Sequence, residues 1–224
     1  RIEDHDRQRS RPEYEAALLE DLAWLGFTPD VVAEKQSERD DVYRAALALL
    51  VDRGLVYGCD CSRKDIGGVR YPGTCRDRGI DLTSDCALRF RVDCDPIIEF
   101  TDLELGPQRF NLEEMSGDFI VRRRDGLFAY QLACALDDAL MGITHVVRGA
   151  DLLTSTPRQI ALLCALDLPV PVYRHIPLVA DAEGRRMSKR DGSQSVRSLR
   201  EAGMSAEEAR ARIFAAPIVK GCTS

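Results

Sequence analysis

At 224 residues, the chain is long enough to bury a sizeable core, as one large domain or as a domain with a small insertion. Its composition, 45% hydrophobic and 30% charged, is that of an ordinary globular protein, and no run approaches the ~18 apolar residues of a membrane-spanning helix. The net charge of -6 argues against a general nucleic-acid binder, although a local basic face could still bind RNA. The polar start, residues 1–6, lacks the apolar segment of a secretory signal, so we expect a cytoplasmic protein.

The first part of the chain predicts two helices and a loop-built segment. Apolar residues recur at helical spacing over residues 13–26 and again over 38–54, and a glycine ends each pattern. Between residues 58 and 79 the periodicity gives way to Cys, Gly, Pro and Arg, which predicts a knuckle of loops.

The second part predicts strands that alternate with helices. Residues 86–121 read as short strands, 130–140 as a helix, 144–148 as a short buried strand and 156–166 as another helix. Strands joined through helices favour an α/β fold with a parallel sheet. One charged helix and an uninformative tail follow over residues 205–224.

The knuckle contains a candidate metal site. Cys59 and Cys61 are one residue apart, and Tyr71 and Cys75 follow a glycine-rich loop, so three thiolates and a phenol oxygen could close a tetrahedral site. The alternative is that these cysteines are small buried apolar residues, but the surrounding charged residues disfavour it. Eight cysteines in a chain that is neither short nor secreted in character also favour reduced thiols over a disulfide framework. We predict a core position for the four cysteines Cys86, Cys94, Cys134 and Cys164.

Two further patterns suit a charged ligand. Residues 185–192 form a basic, glycine-ended loop, and the flexible Lys189 could stabilise negative charge on a polyphosphate as pyrophosphate leaves. Such a loop is more often only a solvated surface loop. Arg148 follows an apolar strand, and a guanidinium at the carboxyl end of a strand matches a carboxylate ligand. The alternative for Arg148 is a structural salt bridge with Asp137 or Asp138. Tyr130 begins a helix after an Asp-Gly turn, and taken alone a tyrosine there is more often a core residue than a site residue.

Together these patterns resemble the glutamyl-Q tRNA(Asp) synthetases, the small relatives of the class I glutamyl-tRNA synthetases, over residues 1–193. The resemblance rests on the order and spacing of several motifs, namely Arg1-Ile2-Glu3-Asp4, Gly26 with Gln36-Ser37-Glu38-Arg39, the Cys-x-Cys…Tyr-x-x-x-Cys pattern at 59–75, Gly117-Asp118-Phe119 through Arg123-Arg124-Asp125-Gly126, residues 142–153 with 155–159, and Met187-Ser188-Lys189.

The resemblance implies roles for individual residues. Glu3 would bind the amino group of glutamate, Tyr130 would contact the amino acid, and Arg148 would bind one of its carboxylates. Lys189 would act on the ATP phosphates as the catalytic cation, in the loop formed with Met187 and Ser188. One structural zinc ion per chain would be held by Cys59, Cys61, Tyr71 and Cys75.

The family activates L-glutamate with ATP, for which we expect Mg²⁺, and forms glutamyl-adenylate without tRNA. It then transfers glutamate to queuosine at the wobble position of tRNA(Asp). The resemblance therefore implies an aminoacyl-tRNA-synthetase-like ligase with glutamate, ATP and tRNA(Asp) as partners. We expect a monomer that has no membrane partner.

Three features depart from the family pattern. The first ATP motif, resembling His-Ile-Gly-His, is absent, so we expect the first strand and helix to lie upstream of Arg1 and this truncated chain alone to be inactive and poorly soluble. Arg186 stands where the second ATP motif has Lys. His5 stands where the family often has Thr or a small apolar residue, a change from which we expect little.

The fold implied is a class I synthetase Rossmann-like sheet with an inserted, acceptor-binding-like zinc subdomain. We predict Rossmann-like halves at 1–57 and 117–204, a zinc knuckle and β-rich insertion at 58–116, and a tail at 205–224. Two alternatives remain. The chain could be the catalytic domain of a truncated glutamyl-tRNA synthetase that charges tRNA(Glu), or a catalytically inactive, zinc-containing tRNA-binding module.

Overall fold

The computed structural model describes residues 1–6, 10–83, 85–180 and 195–219. The chain divides into two compact units. The first unit comprises Arg1–Glu38, Gly149–Asp151 and Ile176–Ser224, and the second comprises Arg39–Arg148 and Leu152–His175. None of the helices in the described ranges is long and apolar enough to cross a bilayer.

Helices and strands alternate along most of these residues. The helices are α1 (Pro12–Trp24), α2 (Asp40–Asp52), α3 (Arg63–Ile66), α4 (Leu112–Met115), α5 (Tyr130–Leu140), α6 (Thr156–Ala165), α7 (Val196–Glu201) and α8 (Ala206–Ala215), with 3-10 turns at Gln36–Glu38 and Ala150–Ser155. The strands are β1 (Val56–Cys59), β2 (Ala87–Phe90), β3 (Ile97–Asp102), β4 (Gly106–Asn111), β5 (Phe119–Arg122), β6 (His145–Gly149) and β7 (Val172–Ile176). The four internal helices predicted from periodicity are confirmed, with each end within two residues of its predicted position.

The α/β class is confirmed, but the sheets are not purely parallel. Strands β1, β2 and β5 form an antiparallel sheet, and a second sheet has the order β4-β3-β7-β6. In the second sheet β3 pairs with β7 in parallel and with β4 in an antiparallel hairpin. The hairpin turn is closed by Asp102, whose Oδ1 accepts the backbone N–H groups of Glu104 and Leu105, both at 3.0 Å. A connection this short can only join antiparallel strands, whereas a parallel pair needs a longer crossover.

The main hydrophobic core lies in the second unit. Helices α2, α5 and α6 place fully buried side chains between the strands, among them Leu50, Leu132 and Leu162. Each such leucine contributes about 1.5–3 kcal/mol by leaving water. The edge-to-face contact of Tyr43 with Phe128, with ring centroids 5.5 Å apart, joins α2 to the segment before α5.

The first unit has a smaller core. Leu25, Leu199 and Ala209 pack together, so the end of α1 contacts α7 and α8. Helix α1 itself buries no residue, and its leucines Leu18 and Leu19 are 51% and 45% exposed. The apolar stripe of residues 13–26 therefore predicted the helix correctly. Within the described residues, however, the stripe is buried only at its carboxyl end, at Leu25, and its other leucines are exposed.

Two local predictions from the sequence are wrong. Strand β6 forms where expected, but it is not buried, and Val147 is 61% exposed. Among the predicted core cysteines, Cys86 and Cys134 are buried whereas Cys94 and Cys164 are exposed. Cys94 is exposed because it lies beyond β2, which ends at Phe90. The prediction had extended the alternating pattern past the end of the strand.

Candidate active site and metal centre

The predicted ATP loop cannot be located in the described part of the chain. Met187, Ser188 and Lys189 lie outside the described residues, as do Arg186 and Cys222. The ATP-binding role of Met187, Ser188 and Lys189 therefore remains a prediction. The other predicted site residues fall in four places. Glu3 lies in the amino-terminal segment of the first unit, and the end of β6, the start of α5 and the knuckle all lie in the second unit.

The segment that carries Glu3 is held by the 3-10 turn at Gln36–Glu38. Asp4 accepts hydrogen bonds from the backbone N–H of Ser37 at 2.9 Å and from its hydroxyl at 2.7 Å. The backbone N–H of Gln36 donates to the carbonyl of Ile2 at 3.1 Å. Burial alone would raise the pKa of Asp4, but its hydrogen bonds, led by those from Ser37, lower it. Two of the motifs that carry the resemblance, Arg1–Asp4 and Gln36–Arg39, are therefore hydrogen-bonded to each other.

Glu3 opens onto a cavity of about 690 Å³ in the first unit. Asp4, Lys35 and Ser37 also line this cavity. The Glu3 carboxylate accepts a hydrogen bond from Arg1 Nη2 at 2.8 Å, and its side chain is 40% exposed. An ammonium group in the cavity can therefore reach the carboxylate.

Arg148 is fixed by three side chains from two elements of the second unit, β7 and α6. Its Nε donates to His175 Nε2 of β7 at 3.1 Å, and its Nη2 donates to Thr156 Oγ1, at the start of α6, at 2.6 Å. The guanidinium carbon lies 5.3 Å from the ring centroid of Tyr173. These contacts use two of the five N–H groups of the guanidinium, so three remain to bind a ligand.

The contact with Arg148 determines the protonation state of His175. A guanidinium only donates hydrogen bonds, so Nε2 of His175 must accept and the ring proton must sit on Nδ1. Nδ1 lies 2.6 Å from Asp102 Oδ2, and neither side chain is exposed to solvent. Burial lowers the pKa of His175, outweighing the opposite effect of Asp102. His175 is therefore a neutral acceptor that orients Arg148.

The structural salt bridge considered for Arg148 does not form. Within the described residues Arg148 has no ion pair with Asp137 or Asp138. Asp137 instead accepts a hydrogen bond from Arg39 Nε at 2.8 Å and another from the Tyr43 hydroxyl at 2.9 Å. Among the residues that the structure describes, the positive charge of Arg148 is thus left without a carboxylate partner, as a site for an anionic ligand requires.

Tyr130 is the first residue of α5, as predicted. The Asp125–Gly126 turn before it is also confirmed, because Arg123 N–H bonds to the Leu127 carbonyl at 2.8 Å and Gly126 has a φ of 87°. The Tyr130 side chain is partly buried. Its contact with glutamate remains a prediction.

The three knuckle cysteines converge as a metal site requires. The Sγ atoms of Cys59, Cys61 and Cys75 all lie within 4.8 Å of one another, and those of Cys61 and Cys75 are 3.4 Å apart. In tetrahedral zinc sites with Zn–S bonds of about 2.3 Å, sulfur atoms are about 3.8 Å apart. The cluster therefore fits Zn²⁺.

Tyr71 supplies an oxygen to the same cluster. Its hydroxyl lies 3.4 Å from Cys59 Sγ and 3.9 Å from Cys61 Sγ, close to the ~3.5 Å expected between oxygen and sulfur ligands of one zinc ion. The hydroxyl also accepts the Cys75 backbone N–H at 2.8 Å. The guanidinium carbon of Arg89 lies 3.7 Å from the Tyr71 ring centroid, where its charge favours electron density on the phenol.

Without a cation the thiols of the cluster differ in acidity. Burial, a hydrogen bond that the Cys61 thiol donates to Cys75 and the nearby charge of Cys59 raise the pKa of Cys61 to about 11. Burial opposes ionisation of Cys59 too, but hydrogen bonds from Tyr71 and Arg89 outweigh it, so the pKa of Cys59 is lowered. A bound cation favours the thiolate form of every ligand.

The backbone around Tyr71 is held at Gly117. The Tyr71 N–H donates to the Ser116 carbonyl at 2.8 Å, and a Cβ added at Gly117 would lie 2.0 Å from the Tyr71 carbonyl oxygen. Gly117 also has a φ of 63°, which favours glycine. Next to it, Asp118 is fully buried and accepts hydrogen bonds from Arg76 and from the Tyr57 hydroxyl. The Gly-Asp pair therefore fixes the knuckle to β5.

Sequence reasoning missed the residues that orient Arg148. Asp102, Thr156 and His175 are 73 positions apart at their widest, and no local motif joins them. One signal was available, because Tyr173 and His175 alternate on the buried face of β7 and a histidine there needs polar partners.

The family model described as tRNA synthetases class I (E and Q), catalytic domain, matches residues 1–214. The chain belongs to this family. Its members are class I aminoacyl-tRNA-synthetase-like enzymes.

The relatives include two kinds of protein. Glutamate–tRNA ligase 2 of Nitrosococcus oceani is 47% identical over 229 residues, covering 91% of this chain and 48% of the relative. Glutamyl-Q tRNA(Asp) synthetase of Symbiobacterium thermophilum is 46% identical over 235 residues, covering 92% of this chain and 72% of the relative. The chain thus spans about half the length of the ligase and most of the glutamyl-Q enzyme.

A solved structure shares the fold. The glutamate tRNA ligase of Elizabethkingia meningosepticum, crystallised in complex with its amino acid, aligns with a TM-score of 0.74 at 26% identity. The alignment covers 86% of this chain and 45% of that protein.

Proposed function

We propose that the protein activates L-glutamate with ATP to glutamyl-adenylate and transfers the glutamyl group to queuosine at the wobble position of tRNA(Asp). In this proposal Glu3 binds the amino group of glutamate, Tyr130 contacts the amino acid, and Arg148 binds a carboxylate. Lys189, with Met187 and Ser188, binds the ATP phosphates, which carry Mg²⁺. Relatives named glutamyl-Q tRNA(Asp) synthetase at 43% to 46% identity support this assignment.

The observation that carries the proposal is the state of Arg148. Its guanidinium is oriented by His175 and Thr156 while three N–H groups and the full positive charge remain uncompensated by any carboxylate in the described residues. A fork of donors held in this way matches the carboxylate of an amino acid. Pre-orienting the ligand in this way is how a synthetase lowers the barrier to acyl activation.

The proposed chemistry has two steps. A carboxylate oxygen of glutamate attacks the α-phosphorus of ATP, the bond to the β-phosphate oxygen breaks, and pyrophosphate leaves. A hydroxyl of queuosine then attacks the acyl carbon, and AMP leaves. Fixed positive charge from Lys189 stabilises the charge that develops on the phosphates. Zinc, held by Cys59, Cys61, Cys75 and Tyr71, has a structural role and takes no part in either step.

Glutamate-dependent exchange of pyrophosphate into ATP, measured on the full-length protein, tests the first step. Exchange should occur with glutamate, without tRNA, and should be abolished or strongly reduced in Arg148→Gln. Arg174→Gln is the matched control, because Arg174 lies on β7 but is exposed and pairs with Glu104 at 2.9 Å. A folded, zinc-loaded protein without exchange would instead support the inactive tRNA-binding module.

The identity of the tRNA that accepts glutamate distinguishes the proposed function from a second candidate, the charging of tRNA(Glu). The 47% identity to a glutamate–tRNA ligase keeps charging of tRNA(Glu) as a candidate function. Labelled glutamate should enter tRNA(Asp) that carries queuosine and should not enter tRNA(Asp) with guanosine at that position, nor tRNA(Glu). Labelling of tRNA(Glu) alone would assign the protein to the ligases.

A further inference from the structure

A cavity in the second unit, separate from the residues discussed above for glutamate, carries unused polar groups. Its volume is about 300 Å³, and it lies between the knuckle, β5 and the start of α6. Arg89, Asp118, Gln131 and Arg158 contribute its polar lining. This volume is at the lower end of the range for ligand sites, about 300–1,000 Å³.

Arg158 is the cation of this cavity that has no partner. Among the described residues its guanidinium forms no ion pair or hydrogen bond, and its Nε is buried without an acceptor. Burial alone accounts for the lowered pKa of Arg158, and no carboxylate in the described part of the chain compensates its charge. A half-buried guanidinium without a counter-ion destabilises the free protein, since the charge loses water and gains no partner.

Two other residues that line the cavity carry buried polar atoms without a hydrogen-bond partner among the described residues. Arg89 is 5% exposed; its Nη1 donates to the Asp118 carbonyl at 2.7 Å, but its buried Nε has no acceptor. Gln131 donates from Nε2 to Ser155 Oγ at 3.0 Å, and its buried Oε1 has no donor. The cavity thus offers donors on two cations and one acceptor.

The one carboxylate that lines the cavity does not neutralise these cations. Both oxygens of Asp118 are occupied, by Arg76 at 2.8 and 3.0 Å, by the Tyr57 hydroxyl at 2.5 Å and by the Val92 N–H at 2.9 Å. Its charge is therefore compensated by Arg76. Arg89 also contacts the Tyr71 ring, so among the described lining residues Arg158 keeps the most N–H groups free for a ligand.

We propose that this cavity binds a phosphate group of the RNA substrate, with Arg158 and Arg89 contacting the phosphate oxygens and Gln131 Oε1 accepting a ribose hydroxyl. An oxyanion beside a hydroxyl donor is the combination that an RNA backbone presents, through its phosphates and its 2′-hydroxyl groups. This inference rests on the proposed function only in assuming an RNA substrate, not in its choice of tRNA.

The test compares RNA binding by the full-length protein and its Arg158→Gln variant. The probe is unfractionated tRNA, so that no acceptor identity is assumed, titrated at several salt concentrations. The variant should bind about tenfold more weakly, the loss of roughly one charge-assisted contact. The slope of log affinity against log salt should fall by about 0.9 for the lost phosphate. The control Arg109→Gln removes an exposed arginine paired with Glu99 and should leave both quantities unchanged.

Thermal unfolding separates a ligand site from a structural role. Because Arg158→Gln removes an uncompensated charge, the variant should melt at the same temperature as the parent protein or higher. A large drop in its melting temperature would make Arg158 a structural residue and overturn the proposal. Gln131→Leu, which removes the proposed hydroxyl acceptor, provides a second variant and should weaken RNA binding without changing the salt slope.

Inorganic phosphate distinguishes the source of the anion. If millimolar phosphate raises the melting temperature of the parent but not of Arg158→Gln, while tRNA affinity is equal in the two, the cavity binds a free anion and the RNA proposal is wrong. Equal tRNA affinities and slopes without a phosphate effect overturn it as well. Glutamate-dependent pyrophosphate exchange on the same preparations tests the proposed function separately, because that step needs no RNA.

Discussion

His175 Nδ1 lies 2.6 Å from Asp102 Oδ2, and both side chains are buried beneath Arg148. The pair acts through the opposite ring nitrogen, because fixing the proton on Nδ1 makes Nε2 an acceptor for Arg148 Nε. Asp102 also accepts the backbone N–H of His175 at 3.2 Å, so strand pairing and the orientation of the imidazole are determined together. The orientation of Arg148 thus depends on side chains that need never touch the substrate.

Replacing His175 should weaken glutamate binding more than it slows the chemistry. In His175→Asn the Arg148 guanidinium loses its Nε acceptor, and a hydrogen bond to a charged group corresponds to about tenfold in affinity. We expect KM for glutamate in the exchange assay to rise by about that factor, with a smaller change in kcat. The control His145→Asn, at an exposed position, should leave KM unaltered. An unchanged KM in His175→Asn would show that Thr156 and Tyr173 suffice to hold Arg148.

The same histidine makes stability depend on pH. Burial lowers the folded-state pKa of His175 below 6.5, so between the two pKa values the unfolded chain binds more protons than the folded one. The contribution of His175 is complete above pH 6.5 and is lost as pH falls toward the folded-state pKa. Urea unfolding across the range from about pH 7 to pH 5 should show this loss, and His175→Asn should show a flatter profile. Equal slopes for the two proteins would exclude His175 as the cause.

Zinc should bind once per chain and stabilise the second unit. Removing the ion with a chelator should lower the melting temperature, since binding free energy adds to folding free energy. Cys75→Ala should abolish zinc in elemental analysis, whereas Cys94→Ala, at an exposed cysteine outside the cluster, should retain it. Tyr71→Phe keeps the aromatic ring and removes the oxygen, so its zinc affinity should fall by about tenfold or more. Undiminished affinity in Tyr71→Phe would leave the fourth ligand to another group.

A pair of glycine variants tests how the knuckle is anchored. Gly117→Ala should destabilise strongly and weaken zinc binding, because the new methyl would overlap the Tyr71 carbonyl oxygen 2.0 Å away. Gly126 also has a positive φ, of 87°, but a Cβ there meets nothing within 4 Å. Gly126→Ala therefore reports conformational strain alone, of about 1 kcal/mol. Chemical denaturation measures the loss of stability, and a competitive zinc titration measures the loss of zinc affinity. Similar losses in the two variants would contradict a role for the close contact at Gly117.

Much of the fold could be predicted from local pattern. Helices α2, α5 and α6 were predicted because an apolar face at helical spacing leaves few other conformations that bury it. The knuckle ligands were also predictable, since Cys59, Cys61, Tyr71 and Cys75 are near in sequence and their spacing limits how they can converge. The exposure of β6 and the mixed sheet were not predictable from pattern, because burial and strand direction depend on neighbours distant in the chain.

The candidate site divides in the same way. Arg148 could be identified from its place after an apolar strand. The sequence could not show that Arg148 forms no salt bridge with Asp137, because Asp137 instead bonds Arg39 and Tyr43. The unused charge of Arg158 was equally hidden, because a sequence records an arginine but not whether a carboxylate reaches it.

By itself the sequence determined the family, the α/β class, the positions of the main helices and the cysteine–tyrosine cluster, since each is encoded in residues close along the chain. Only the tertiary structure decided which charges are paired. Thr156 and His175 contact Arg148 from two separate elements, and Asp102 holds His175 from a third. The carboxylate of Asp118 pairs with Arg76 rather than with Arg89 or Arg158. Two charges pair only when folding brings their side chains within a few ångströms of each other, and the order of residues along the chain does not give that distance.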